Sequence, residues 1–156
     1  MTDQEDFLQT DMDEYVTLTI GGQLFGVPVT SVHDVFSPDA ITGVPLSSPE
    51  IAGVLNLRGR IVTAIDARVK LGLSKRESNE HSMAVGIELD GEAYGVIIDS
   101  VGEVLRLGLD EYEPNPINLD ERWQAISAGV YRLENELLVV LDVKKFLSFG
   151  NVKSAA

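Results

Sequence analysis

The side chains of this chain that could do chemistry are few, and they form no recognisable catalytic set. The two histidines, His33 and His81, have no second ligand or acid at the spacing that metal sites and general bases use. Asp66 and Asp142 could act as a paired acid and base, but each stands directly before a short amphipathic segment, where aspartate is a typical helix N-cap. The serines lie in no Gly-x-Ser-x-Gly motif, the glycines form no phosphate-binding loop, and there is no cysteine. We therefore expect no enzyme activity, no metal site and no cofactor.

One cation is unusual. Arg58 stands beside Gly59 in a tight turn between two apolar strands, within the stretch GVLNLRGRIVTAIDARVKLGL (residues 53–73). Its apolar neighbours include Leu57 and Ile61. Arginine among apolar side chains is a common composition of interface hot spots. This pattern favours recognition of a partner over catalysis.

Composition and charge limit the kinds of partner. The 156 residues are 44% apolar, which suits one domain or two small halves with a shared core. The net charge of −13 argues against nucleic acid or an anionic membrane surface as a partner. Residues 1–14 carry six acids and no base, which predicts a disordered acidic tail, and residues 149–156 are expected to form a short C-terminal tail. No apolar run approaches the ~18 residues of a membrane span, so we expect a soluble, cytoplasmic protein without direct membrane insertion.

The chain contains an internal repeat. GQLFGVPVTSVHDVF (residues 22–36) matches GEAYGVIIDSVGEVL (residues 91–105) at an offset of 69 residues. GVLNLRGRIVTAIDARVKL (residues 53–71) matches GVYRLENELLVVLDVKKFL (residues 129–147) at an offset of 76, so the second copy holds seven extra residues. Ordered matches along both segments indicate a duplicated module of about 70 residues.

Each copy predicts about five short strands and one brief helix. Apolar residues alternate before and after the Gly21-Gly22 turn, and Asp90-Gly91 is a favoured two-residue hairpin turn at the equivalent place. We expect two small, partly open β-barrels that share a core at a pseudo-twofold interface. Their predicted bounds are 15–73 and 82–148, with interdigitation at the ends, and Trp123 is expected to anchor the insertion of the second copy.

Three stretches resemble the CheW family of bacterial chemotaxis coupling proteins: YVTLTIGGQLFGVPVTSVHDV, ITGVPLSSPEIAGVLNLRG and GVLNLRGRIVTAIDARVKLGL. The resemblance covers residues 15–148 as a single CheW-like domain. It implies a mainly all-β fold of two SH3-like five-stranded β-barrels with short helices around a shared core. It also implies a non-catalytic adaptor that bridges the tip of a chemoreceptor helical hairpin and the regulatory domain of a CheA-type histidine kinase. Assembly with other CheW-like copies in rings, and recruitment to membrane receptor arrays, are further implied.

The same resemblance implies the binding residues. On the receptor side they are Val32, Asp34, Phe36, Gly53, Val54, Asn56, Leu57, Arg58 and Gly59. The kinase-side surface is less tightly tied to a motif, and we select strand-edge candidates from the second copy: Val96, Ile98 and Val101.

Several positions depart from the family pattern. Asp34 stands where glutamate is usual, and Thr63 where a proline usually follows the NLRG hairpin. These departures suggest a divergent or accessory member. Two alternative functions stay open from the sequence: a CheW-like coupling protein of another pathway, such as pilus motility, and a small-ligand-binding barrel protein.

Overall fold

The computed structural model of the protein describes residues 12–39, 41–45, 48–77 and 81–148. Most of the predicted acidic tail and all of the predicted C-terminal tail lie outside these ranges. Residues 12–14, which we assigned to the tail, instead begin the first strand. Met12, Asp13 and Glu14 pair there with Gly108, Leu107 and Arg106, so a partner strand supplies their backbone hydrogen bonds.

The described residues form ten strands, three short α-helices and two 3₁₀ turns, Val29–Ser31 and Leu109–Glu111. The strands are β1 (Met12–Ile20), β2 (Gln23–Pro28), β3 (Val32–Phe36), β4 (Ile51–Leu57), β5 (Arg60–Asp66), β6 (Met83–Leu89), β7 (Glu92–Ile98), β8 (Ser100–Gly108), β9 (Ser127–Arg132) and β10 (Leu137–Leu141). The helices are α1 (Ala67–Lys70), α2 (Glu121–Gln124) and α3 (Val143–Phe146).

The strands make two five-stranded sheets of equivalent design. The first sheet has the order β8-β1-β2-β10-β9 and the second has the order β3-β6-β7-β5-β4. Each contains one parallel pair, β2 with β10 and β5 with β7, and its other pairs are antiparallel. The two orders coincide position by position when each strand is replaced by its repeat equivalent. The predicted mainly-β fold with two five-stranded units is confirmed.

The sheets do not correspond to the two sequence copies. The first copy supplies β1 and β2 to the first sheet but β3, β4 and β5 to the second, and the second copy is divided in the same way. We predicted barrels over 15–73 and 82–148 with interdigitation only at the ends, and the structure carries the exchange much further. The parallel pairs join strands of different copies, so each copy covers hydrogen-bonding edges of the other.

A large apolar core holds the two sheets together. It takes buried residues from both, among them Leu18, Phe25, Ile65, Val96 and Ile98. Two smaller clusters lie apart from it, one built around Tyr15, Tyr131 and Leu138 of the first sheet and the other around Leu55, Val62 and Ile97 of the second.

The local predictions agree with the structure. Trp123 is buried in the shared core and packs edge-to-face on Phe25, with ring centroids 5.2 Å apart, so its anchoring role is confirmed. The Asp66 carboxylate accepts a hydrogen bond from the Arg68 amide at 3.0 Å, and Asp142 accepts one from the Lys145 amide at 3.0 Å. Both aspartates therefore cap short helices, which accounts for their matching positions.

Candidate functional site

The turn between β4 and β5 gives Arg58 an uncommon backbone conformation. Arg58 and Gly59 form a two-residue hairpin loop with φ angles of 55° and 81°, as in the mirror-image turns that fit twisted strands. A residue with a side chain pays about 1–2 kcal/mol for the left-handed region. The Asn56 side-chain oxygen accepts a hydrogen bond from the Gly59 amide at 3.0 Å and stabilises the turn. The hairpin thus holds the arginine at a defined position at its tip.

Arg58 pairs with a carboxylate on β3, the strand at the opposite edge of the second sheet from β4. Its Nη1 lies 2.9 Å from Oδ1 of Asp34 on β3 and donates to Oδ2 at 3.0 Å. The Arg58 side chain is 76% exposed and that of Asp34 23%, so the pair contributes at most about 1 kcal/mol to stability. Two residues predicted from separate motifs are therefore in direct contact.

A groove of about 210 Å³ opens beside this ion pair, and we call it the mouth groove. Its apolar lining includes Leu57, Val62, Ile87 and Ala93. Its rim carries a second ion pair, in which Arg60 Nη1 lies 3.4 Å from Oε1 of Glu88. His33 Nε2 approaches the same oxygen at 3.7 Å.

Small side chains account for the space in the groove. Gly86, Ala93 and Val62 line it, and their repeat equivalents in the first sheet are Thr17, Leu24 and Leu138. In that sheet Leu138 is fully buried, and Leu24 packs against the cluster to which it belongs. The second sheet therefore leaves open a volume that larger side chains occupy in the first.

The arginines of the rim face outward. Arg58 and Arg60 are exposed, whereas their partners Asp34 and Glu88 are more recessed. This surface contrasts with the net charge of −13 of the whole chain. An apolar side chain flanked by carboxylates, offered by a partner, would complement the apolar floor and the cationic rim.

The predicted receptor-side residues fall into two groups. Asp34, Leu57 and Arg58 line the mouth groove. Asn56 and Gly59 belong to the β4–β5 turn that carries Arg58. The other four lie apart from the groove lining and serve the fold: Val32, Phe36, Gly53 and Val54.

Two of these four correct our expectations. Phe36 is half-buried rather than exposed, since its ring packs inside the second sheet against the Val62 cluster and over Gly95, and its receptor contact stays a prediction. Gly53 is buried with φ 151°, and a side chain there would overlap the Thr42 carbonyl oxygen. That close approach permits the bridge between Thr42 and Val54, so Gly53 is required by the backbone.

The kinase-side prediction is wrong for two of its three residues. Val96 and Ile98 lie on β7, which is hydrogen-bonded to β6 on one side and β5 on the other, and both side chains are buried in the shared core. They are neither edge residues nor accessible to a partner. Val101 does lie on an edge strand, β8, and is half-buried, so its kinase contact stays a prediction.

The sequence prediction missed Arg60, Glu88 and Ala93. A signal for Arg60 was present in the repeat, because its equivalent is Glu136, the same reversal of charge that separates Arg58 from Glu134. Glu88 and Ala93 differ from Thr19 and Leu24 in the same comparison. Differences in charge or size between the two copies thus give a signal for groove residues that motif matching did not supply.

Neither a metal site nor a membrane helix is found in the described parts of the chain. Within them, no group of three or more His, Cys, Asp or Glu side chains could hold a metal ion. Among the same residues, no helix has the length and apolar character needed to cross a membrane.

Comparison with known proteins gives consistent matches along the chain. Residues 14–149 match the family model described as CheW-like domain. The chemotaxis protein CheW of Thermotoga maritima is 30% identical over 140 residues, which cover 90% of this chain and 91% of that protein. The chemotaxis protein CheW of Klebsiella aerogenes is 27% identical over 140 residues, covering 90% of this chain and 84% of the relative. The crystal structure of the scaffolding protein TtCheW from Thermoanaerobacter tengcongensis superimposes with a TM-score of 0.74 at 27% identity, covering 83% of this chain and 88% of the other.

Proposed function

Because this chain belongs to the family of CheW-like domains, we propose that it is a non-catalytic adaptor that couples chemoreceptor tips to a CheA-type histidine kinase in bacterial chemotaxis. The relatives described above carry the name chemotaxis protein CheW, and the similar crystal structure is that of a scaffolding protein. Those names favour chemotaxis over pilus motility and over small-ligand binding.

The observation that carries the receptor side of the proposal is the Arg58–Asp34 contact at the mouth groove. It joins the SVHDV and NLRG stretches, which supplied the receptor-side residues, at one place on the surface. The groove beside it combines an apolar floor with outward-facing cations. We propose that an apolar side chain of the receptor hairpin enters the groove while neighbouring carboxylates meet Arg58 and Arg60.

The kinase contact is proposed at a different surface. Of the three candidates only Val101 remains, on the β8 edge of the first sheet, outside the lining of the mouth groove. An adaptor needs two separate interfaces, and weak contacts add when many copies are held in one array. We propose that the protein works in the cytoplasm, at such arrays beneath the membrane, where it also contacts other CheW-like copies.

Calorimetric titration with a receptor hairpin-tip fragment from the same organism tests the receptor side. We expect micromolar binding by the wild type and about 5- to 150-fold weaker binding by Arg58→Glu, a loss of about 1–3 kcal/mol. The variant should stay folded, because surface charge changes usually alter stability by less than about 0.5 kcal/mol.

A matched control is available at the equivalent end of the first sheet. Arg132→Glu also reverses an exposed arginine, one that pairs with Glu113 at 3.1 Å, and it should leave the affinity unchanged. Absence of binding by the wild type would contradict receptor coupling itself. Equal binding by the wild type and Arg58→Glu would contradict only the location of the site.

A further inference from the structure

Asp99 lies where the chain passes from one sheet to the other. It follows the last residue of β7 in the second sheet and precedes the first residue of β8 in the first sheet. Its backbone amide donates to the Thr19 carbonyl of β1 at 3.0 Å. The residue is therefore placed to link the two sheets.

The Asp99 carboxylate is bound from both sheets. From the first sheet, the Gly21 amide in the β1–β2 turn donates to Oδ2 at 2.8 Å. From the second, Arg68 in the helix that follows β5 donates through Nε to Oδ1 at 2.9 Å and through Nη2 to Oδ2 at 3.1 Å. A bidentate guanidinium–carboxylate pair fixes direction as well as distance.

A third segment joins the same carboxylate. Arg76, in the connection between the two sequence copies, donates from Nη2 to Asp99 Oδ1 at 2.7 Å, and its Nη1 lies 3.6 Å from Asp66 Oδ2. The Arg76 side chain is only 9% exposed. Burial alone would raise the pKa of Asp99, but the hydrogen bonds from Arg68, Arg76 and Gly21 outweigh it and hold that pKa below its usual value.

The other junction between the sheets lacks this arrangement. The repeat equivalents of Asp99 and Arg68 are Thr30 and Lys144, both exposed. A hydroxyl and a lysine cannot form the bidentate pair. Of the two equivalent junctions between the sheets, only the one at Asp99 therefore carries this charged cluster, and the pseudo-twofold symmetry of the fold does not extend to it.

We propose that Asp99, with Arg68 and Arg76, is a one-sided clamp that fixes the orientation of the two sheets. The shared core keeps the sheets together, but apolar burial is non-directional and permits small rotations of one sheet against the other. The clamp removes that freedom through directional, largely buried contacts. This inference concerns conformation, so it stands whether or not the mouth groove binds a receptor.

Pulsed electron spin resonance on a doubly labelled protein tests the clamp. The sequence has no cysteine, so Ile61→Cys and Val104→Cys would place one nitroxide on an exposed position of each sheet. In this background we compare three changes: Asp99→Asn and Arg76→Gln, which remove parts of the clamp, and Glu113→Gln, which removes an exposed ion pair elsewhere.

We expect one narrow distance distribution for the unmodified background and for Glu113→Gln. Asp99→Asn should broaden or shift it, Arg76→Gln should do so to a smaller extent, and far-ultraviolet circular dichroism should stay the same for all. A distribution for Asp99→Asn as narrow as that of the background would overturn the proposal. If Asp99→Asn does not fold, Arg76→Gln is the deciding variant, because it is the milder change and leaves the Arg68 pair in place. An unchanged distance distribution in that variant would then overturn the proposal and would mean that the cluster only stabilises the fold.

Discussion

Replacing Ala93 by leucine would close the mouth groove with the side chain that the first sheet carries at the equivalent position, Leu24. Ala93 lines the groove and packs against the Val62 cluster, so three added carbon atoms would extend into the space of about 210 Å³. Burying a side chain the size of leucine or phenylalanine contributes about 1.5–3 kcal/mol. Excluding such a side chain of the receptor should therefore weaken binding about 10- to 150-fold.

The same substitution should have little effect on stability. The groove is open, so the leucine needs no rearrangement of the core, and we expect the free energy of unfolding to change by less than about 1.5 kcal/mol. Urea denaturation gives this quantity for the variant and the wild type, and calorimetric titration with the receptor hairpin-tip fragment gives the affinities.

The reciprocal substitution is the control. Leu24→Ala removes three carbon atoms that pack against the Tyr131 cluster. It should destabilise the protein by about 2 kcal/mol, which is at the low end for a large-to-small change because Leu24 is only partly buried. Its affinity for the receptor fragment should equal that of the wild type. Two results would refute the reasoning: undiminished receptor binding by Ala93→Leu, or destabilisation by Ala93→Leu as large as that by Leu24→Ala.

Three further outcomes follow from the fold. Gly53→Ala should destabilise by more than about 1 kcal/mol in urea denaturation, because the side chain meets the Thr42 carbonyl at a positive φ, and an unchanged midpoint would contradict the close approach. Asp142→Ala should lower the free energy of unfolding by about 1 kcal/mol, because the cap on α3 is lost. Asp142→Asn should keep most of that stability. The pKa of Asp99 is lowered in the folded protein, so its contribution to stability is present above the unfolded value of about 3.9 and is lost as the pH falls through the lower folded value. In an acid titration, the free energy of unfolding should thus fall more steeply below about pH 4 for the wild type than for Asp99→Asn. Parallel curves would contradict the lowered pKa of Asp99.

The sequence predicts much of the local structure because local structure depends on neighbours in the chain. The Asp90-Gly91 turn has the expected positive φ angles, 53° and 82°, and the capping aspartates follow from their place before an apolar segment. The repeat likewise predicts two equivalent sheets. Each of these inferences needs only a few consecutive residues or a comparison of one stretch with another.

The errors arise where pairing across the repeat decides the outcome. An apolar run such as residues 96–98 is compatible with an edge strand and with a central one, and only the parallel pairing with β5 makes β7 central. Phe36 was a receptor-side candidate from the family resemblance, and nothing in the sequence indicated that strands of both copies would pack around its ring. Arg60 and Glu88 lie far apart in sequence, and their contact depends on the proximity of two hairpin ends.

The exchange of strands between the copies also bears on how such a chain can arise. A single copy of about 70 residues would leave β2 without its parallel neighbour, and the neighbour could come only from a second molecule. An ancestral single-copy protein of this fold would therefore be a strand-exchanged dimer, stable only above a threshold concentration. Covalent connection of the two copies makes their association intramolecular, so folding no longer depends on concentration. It also frees each half to change separately, and an open groove on one sheet and a packed interior on the other become compatible in one molecule.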